Sequence, residues 1–451
     1  MRLILMLWVI IMLSAVIHGN GIAVDQYRLT AFRTGGSEND WSGKKIISDK
    51  SGFLYWIGSS TSTDFPMPNT AAKNKIKGKS DAIVMKLSPD LKQVVAANRV
   101  GGSGNEQGFS IDLDAQGNVY ILGTTDSLDF PVFGRTFSRK LNGTEADLFI
   151  MKLSSDLNTV LASTYLGGSG KEGTGFYMEL SIHGQQVIVA GSTQSLNFPV
   201  TRQAFMRTAP NMKNGKGSDM FVAILDTDLT ELKYGSYFGG SGDDHLKSVK
   251  RDRKGNLYIA GHTMSEDLPI GRNAFKSEFE RGGYNIFISK FSPDLSLLLA
   301  STYMGADSND FAYSMTVSRQ DHVYVTGHVG HRFTTSPDAY DSDRSGVPDE
   351  AYVVKLDSHL SRLLASTFLG GGGSINPGGK YGSAIITDKD ENVYVLGKTD
   401  IIDYPVTANA IDEVHNGGRD IFMTKLDRNL TSLHYSTFIG GDEEEDMEWR
   451  E

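Results

Sequence analysis

A glycine joint recurs along the 451-residue chain, at Gly35, Gly101, Gly167, Gly239, Gly305, Gly370 and Gly440. The steps between copies are 66, 66, 72, 66, 65 and 70 residues. The approach to the joint is nearly constant: "LASTYLGGSG" from Leu161, "LASTYMGADS" from Leu299, "LASTFLGGGG" from Leu364, "LHYSTFIGGD" from Leu433. A fixed period of this length makes each copy one supersecondary unit that must stack on its neighbours to bury a core.

The second period shows what that unit is. "FSIDLD" (Phe109–Asp114) alternates as a strand, "AQGN" turns, and "VYILGTT" (Val119–Thr125) is a second β-branched and aromatic run. A loop of about 20 residues follows, then "DLFIMKL" (Asp147–Leu153), the turn "SSDLN" and "TVLASTYLGG". Four short strands joined by Asx/Gly turns, repeated, predict an all-β fold: a β-propeller of four-stranded antiparallel blades. Six periods are complete, so six blades are expected, over residues 27–441 with repeat starts near 35, 101, 167, 239, 305 and 370. "YRLTAFRTGG" reads as one further copy of the fourth strand, available to help close the ring. Seven blades is the alternative.

Set in order, the marks are D-x-x-G-N-x-Y-x-x-G, S-x-D-F-P (as "TDFP", "LDFP", "LNFP", "EDLP", "IDYP"), D-x-F-x-x-K-L and S-T-Y-L-G-G. Together they resemble the SBBP-type β-propeller repeat over roughly residues 27–441. That resemblance implies a propeller in an exported or cell-surface bacterial protein, and it implies no chemistry.

Residues 1–21 agree with export. Arg2 precedes an apolar run from Leu3 to Ile17 and then small polar residues, the order of a signal peptide, and the run is short for a membrane span. No later stretch is apolar enough to span a bilayer, and residues 442–451 form an acidic tail. The absence of cysteine excludes disulfides, thiolate metal sites and a lipid-modified N-terminal Cys. A net charge of −10 argues against nucleic-acid binding. The glycine joint is not a phosphate-cradling loop, since it lies between strands with no helix pattern after it.

Alternating connections put the tight 1–2 and 3–4 turns on one face, and the long 2–3 loops with the joints on the other. Variable loops on a rigid scaffold favour the long-loop face for binding. Two constellations there depart from the repeat. Where blades one to three carry Ser59, Thr124 and Ser192, blades four to six carry His262, His328 and Lys398, with His331 close by in "GHVGHRF". These four make the candidate ligand-binding arc. In "DSDRSG", Asp341, Asp343 and Ser345 take positions 1, 3 and 5 of a calcium loop and Asp349 position 9. Leu356 stands where the bidentate Glu belongs, so calcium is a candidate cofactor with an incomplete ligand set.

An acid falls five residues after the first joint glycine in six of seven copies: Asp40, Glu106, Glu172, Asp244, Asp310 and Glu445, with Ile375 the exception. A third-strand Lys recurs at Lys86, Lys152, Lys290, Lys355 and Lys425, with Ile224 the exception. The two exceptions fall in different periods, so an obligatory acid–Lys pair is not supported. These residues point to an exported monomeric propeller that binds a protein or glycan through the long-loop face, without catalysis. A propeller enzyme of glycosidase or lyase type, and a structural or adhesive surface protein, are the alternatives.

Overall fold

The computed structural model describes residues 8–10, 30–32 and 34–440, apart from 69–74, 174–177, 212–216, 307, 331–332, 343–349, 371–379, 409 and 417. The described chain is all-β, with six four-stranded antiparallel sheets in sequential strand order, the blades of a β-propeller. Blade one comprises Asp40–Ser48, Leu54–Ser60, Asp81–Leu87 and Val94–Val100. Blade two comprises Glu106–Leu113, Val119–Thr125, Asp147–Leu153 and Val160–Leu166, and blade three Glu179–His183, Gln186–Thr193, Asp219–Asp226 and Leu232–Phe238. Blade four has Asp244–Arg251, Leu257–Thr263, Asn285–Phe291 and Leu298–Met304; blade five has Phe311–Val317, Val323–Val329, Glu350–Leu356 and Leu363–Leu369. Blade six has Lys380–Thr387, Val393–Thr399, Asp420–Leu426 and Leu433–Ile439.

Two compact units emerge, divided within blade three: one holds blades one and two with residues 180–188 and 225–232, the other the rest of blade three with blades four to six. The extra strand copy behaves differently from the expectation. Thr30–Phe32 pairs with Trp8–Ile10 in a separate two-stranded sheet, and blade six is completed by its own fourth strand.

Second strands are largely buried, as Val119–Thr125 and Leu257–Thr263 show along their whole length, because neighbouring blades pack against them. Within the first unit, Tyr55, Ile57 and Val84 of blade one meet Ile111, Ile121 and Phe149 of blade two. Within the second, Ile286 and Ile288 meet Ala312, Met315 and Val325. The Phe of S-x-D-F-P is a core plug: Phe130 stacks on Phe149 with ring centres 4.7 Å apart, and Phe198 lies tilted against Phe221 at 4.3 Å.

The long loops are spent on the sheet edge. Phe133 N–H donates to Ser163 Oγ at 2.7 Å, Ser138 N–H to Thr164 Oγ1 at 2.9 Å, and Tyr165 N–H to the Ser138 carbonyl at 3.1 Å. The Ser-Thr of each "LASTYLGG" thus clamps its own blade's loop along the fourth strand, covering an edge that would otherwise template further pairing. The loop then reaches the next blade's 3–4 turn, where Phe137 donates to the Leu229 carbonyl, Phe275 to Leu360 and Tyr340 to Leu430, each at 2.8 Å.

The third-strand lysines lie at the other end of the blade, away from the joint acids. Lys152 sits over Tyr120 (5.2 Å to the ring centre), 3.8 Å from Asp114 of the 1–2 turn, and donates to Thr227 of the next blade. Lys290 repeats this with Tyr258, Asp252 and Ser358. Blade three lacks both partners at once, with Ile224 for the Lys and "HGQQ" for D-x-x-G-N. Blade five has Ser318 for the turn Asp; Glu391 of blade six replaces it, binding Lys355 (3.4 Å), His322 Nδ1 (2.9 Å) and the Ser318 hydroxyl.

The 3–4 turns place a leucine in the left-handed region: Leu91, Leu157, Leu229, Leu295, Leu360 and Leu430, with φ from 54° to 61°. All six are buried. The backbone cost is about 1–2 kcal/mol, whereas truncating a buried leucine costs about 2–5 kcal/mol; burial wins. Leu157→Asn, which relieves the backbone, is therefore expected to lower stability in urea unfolding, and Leu157→Ala to lower it by about 2–5 kcal/mol.

Candidate functional site

The joint acids of blades two and four show the structural task of this position, and Glu445 lies outside the described residues. Glu106 Oε2 accepts from Gly102 N–H at 2.9 Å, and its Oε1 accepts from the Thr125 and Ser127 hydroxyls at 2.5 Å. Asp244 repeats the pattern with Gly240 N–H (2.7 Å), Thr263 and Ser265 (3.0 Å). The Asp of S-x-D-F-P closes the loop: Asp129 accepts from Ser103 N–H and Oγ at 2.7 and 2.9 Å, and Asp267 from Ser241 likewise. What the first joint glycine supplies is space. A Cβ on Gly239 would lie 2.7 Å from Asp244 Oδ2 and 2.9 Å from Asp219 Oδ1. In blade six the position is held by Lys380, which pairs with Thr399 as Glu106 pairs with Thr125. It lies ten residues after Gly370; Ile375, the sequence exception, is outside the described residues.

With the repeated motifs absorbed, the distinctive feature is a run of aromatic and imidazole rings across blades four to six, at the ends of the strands that lead into the long loops. His245 and His262 face each other in register, with ring centres 5.1 Å apart. His262 continues to Tyr284 at 5.1 Å and to Phe311 at 4.5 Å. Phe311 touches His328 at 4.7 Å, and Tyr313 lies 5.5 Å from His328 and 5.3 Å from Tyr381. His245, Tyr284, Phe311 and Tyr313 are half-buried, so their outer surfaces face solvent. Lys247 Nζ stands 5.9 Å from the Tyr313 ring.

Two of these residues are aimed by β-bulges. The first-strand register shifts between Leu246 and Ser248 and between Ala312 and Ser314, so Lys247 and Tyr313 are the extra residues. A bulge turns its side chain away from the regular pleat. Blade two has the same shift around Phe109, which is buried.

The four residues of the sequence-derived arc fare unequally. His262 is 4% exposed, His328 8% and Lys398 0%; the two imidazoles lie behind the solvent-facing rings, and Lys398 is buried in register with Tyr381. The Phe311 ring stands between His262 and His328. His331 is outside the described residues. Burial, with repulsion from Lys247, His245 and His328, holds the His262 imidazole well below the usual histidine range; it is a neutral ring among rings. Burial also lowers His245, opposed by Asp243. Of the calcium set, Asp341 is described: its N–H donates to Thr367 Oγ1 at 2.9 Å in the edge clamp. Asp343, Ser345 and Asp349 lie outside the described residues. Among the described residues no group of three or more His, Asp or Glu is placed to hold a metal.

The sequence reading missed His245, Tyr284, Phe311, Tyr313 and Tyr381. A signal existed in the residue after the joint acid, which runs Trp41, Gln107, Gly173, His245, Phe311 and, once the blade-six insertion is allowed for, Tyr381.

No protein-family model matches the chain, and no curated protein matches it. Solved structures similar to it include a polysaccharide lyase of family PL25, an ulvan lyase (TM-score 0.45, 10% identity, 90% of this chain and 86% of that one). The WD40 propeller domain of Doa1 is also similar (0.31, 10%, 80% and 91%). So is quinohemoprotein alcohol dehydrogenase from Comamonas testosteroni (0.39, 8%, 90% and 63%). These span binding domains and enzymes, and at such scores they assign no function. No helix among the described residues is long and apolar enough to cross a membrane.

The buried imidazole is testable. The His262 NMR signal, assigned by its loss in His262→Gln, is expected to stay fixed from pH 8 to pH 6. Because its folded pKa is depressed, its contribution to stability is present above the unfolded value of about 6.5 and is lost as pH falls below it.

Proposed function

We propose that the protein is an exported, non-enzymatic binding module that takes a glycan on the ring shelf of blades four to six. The observation that carries this reading is the half-buried set His245, Tyr284, Phe311 and Tyr313, backed by His262, His328 and Tyr381. A sugar ring presents apolar C–H faces edged with hydroxyls. Rigid aromatic faces with polar tips match both features at low entropic cost. Lys247 and the imidazole of His245 supply donors beside the faces. Several rings in a row suit consecutive sugars of a chain.

Support for binding over catalysis comes from the same geometry. Phe311 separates His262 from His328, so the pair does not converge on one reacting atom. The joint carboxylates are occupied by backbone N–H groups and hydroxyls. Export is proposed on the charge–apolar–small order of residues 1–21. The shelf's position keeps the binding surface on the long-loop face, on the strand ends rather than on the loops themselves.

A glycan array covering plant, algal and bacterial polysaccharides, followed by titration calorimetry on the best hits, tests this. Tyr284→Ala/Tyr313→Ala is expected to weaken binding at least tenfold, while Leu161→Ser, on the exposed outer strand, leaves it unchanged. Equal binding by all three proteins would remove the shelf from the reading.

A further inference from the structure

The ring shelf lies within reach of the residues that follow blade six. Tyr381, Lys398, Ile421 and Ile439 form one row across that blade, one residue from each strand. Three strand spacings of about 4.8 Å separate Ile439 from Tyr381, or about 14 Å. The shelf continues from Tyr381 to Tyr313 over 5.3 Å and from Tyr313 to Phe311 over 6.2 Å. Residues 441–451 lie outside the described residues and follow Ile439 at the same end of the blade. Met447 is eight residues past Ile439 and Trp449 ten, so the chain can carry them at most about 26–29 Å and about 33–36 Å. Tyr313 is within the span of the first, and Phe311 within that of the second.

The segment reads "GDEEEDMEWRE", and its two large apolar side chains, Met447 and Trp449, are two residues apart. In an extended chain that spacing puts both on one side, about 6.6–6.8 Å apart. The Tyr313 and Phe311 rings offer a matching pair of faces, 6.2 Å apart and 13° from parallel. Thioether and indole groups both pack favourably on aromatic rings. A short tether keeps such a segment at an effective concentration in the millimolar range, so a contact too weak to hold separate molecules together is still occupied.

Charge favours the same end of the shelf. Lys247 stands 5.9 Å from the Tyr313 ring, and Lys380 is neutralised by Glu350 at 2.5 Å. Asp310 is held by the N–H groups of Ala306 and Gly330, and Asp244 by Gly240 N–H. Asp243 belongs to the far end, beside His245 and Tyr284. A segment with seven acids and one arginine is drawn toward Lys247 and away from Asp243.

We propose that residues 441–451 turn back over blades five and six and cover the shelf, with Met447 against Tyr313 and Trp449 against Phe311. The shelf then carries an internal occupant that any ligand has to displace. An outside ligand binds with an apparent affinity reduced by the fraction of molecules whose shelf is uncovered. The inference needs the exposed rings and does not depend on the ligand being a glycan.

The test places the photoreactive residue p-benzoylphenylalanine at position 449 of the full chain, irradiates it and maps the cross-links by mass spectrometry. Cross-links at monomer mass within Phe311–Val317 are expected. Their yield is expected to fall about fivefold in Tyr313→Ala. Lys247→Glu, which leaves every ring in place, is the second variant and is expected to lower the yield about twofold. Three results overturn the proposal. Cross-links at dimer mass mean that the segment occupies a second copy. Cross-links confined to blade one, or to the tight 1–2 and 3–4 turns, place it elsewhere. A yield unchanged by both variants means that the segment passes the shelf without docking there.

Discussion

A buried carboxylate at the head of a first strand sets the terms for the rest of each blade. Glu106 and Asp244 are sealed from solvent, and an ionised group there must find several donors or become neutral. The donors come from three separate motifs: the second glycine of the joint, the Thr that ends the second strand, and the Ser of S-x-D-F-P. Hydrogen bonds to a charged group contribute about 1.5–3 kcal/mol each, so one acid ties the end of one blade to two elements of the next. The first glycine then follows from volume, since a side chain there would displace the carboxylate. Gly239 is absent from the positive-φ residues, whereas Gly305 has φ of 122°; a left-handed backbone is thus a demand of one joint, and room for the acid is common to both.

Departures from the repeat are balanced within a blade or by its neighbour. Blade three drops its Lys and its turn Asp together, leaving neither charge alone. Blade five drops only the turn Asp, and Glu391 reaches across from blade six to hold Lys355, His322 and Ser318. The Glu350–Lys380 exchange does the same at a joint. Breaking one partner of a buried pair costs several kcal/mol, which makes paired change the cheaper route. Mixed variation of this kind looks like noise in a single chain until the partners are seen.

The period, the four strands and the turn chemistry were legible in the residues, because alternation and Asx/Gly turns act over short distances. The function of the lysines was not. Their partners lie in the 1–2 turn and in the next blade, 75 residues away for Lys152 and Thr227, and counting from the glycine joint offered only the joint acids, a pairing the exceptions did not support. The candidate site was half legible: His262, His328 and Lys398 mark the blades where the repeat changes. Burial could not be read from them, since a second-strand position says nothing about which first-strand ring covers it. The insertion after Gly370 hid Tyr381 and Lys380 by shifting the count by five residues.

The shelf itself is hard to explain by packing. Blade two fills its first-strand bulge with Phe109, a ring that disappears into the core at 2% exposure. Blades four and five fill the corresponding bulge with Lys247 and Tyr313, which remain half in solvent and stand together. The inner neighbours move with them, from Ser59 and Thr124 to His262 and His328, so that rings back rings. An apolar side chain would satisfy the core at these places, and hydroxyls would satisfy the backbone, as Ser59 does for Gly108 N–H at 2.8 Å. Rings with polar edges, one of them turned outward by a bulge and all braced from behind by the neutral imidazole of His262 and by His328, add a rigid face to solvent that neither task requires, and a rigid amphipathic face is what a ligand with apolar faces and hydroxyl edges needs.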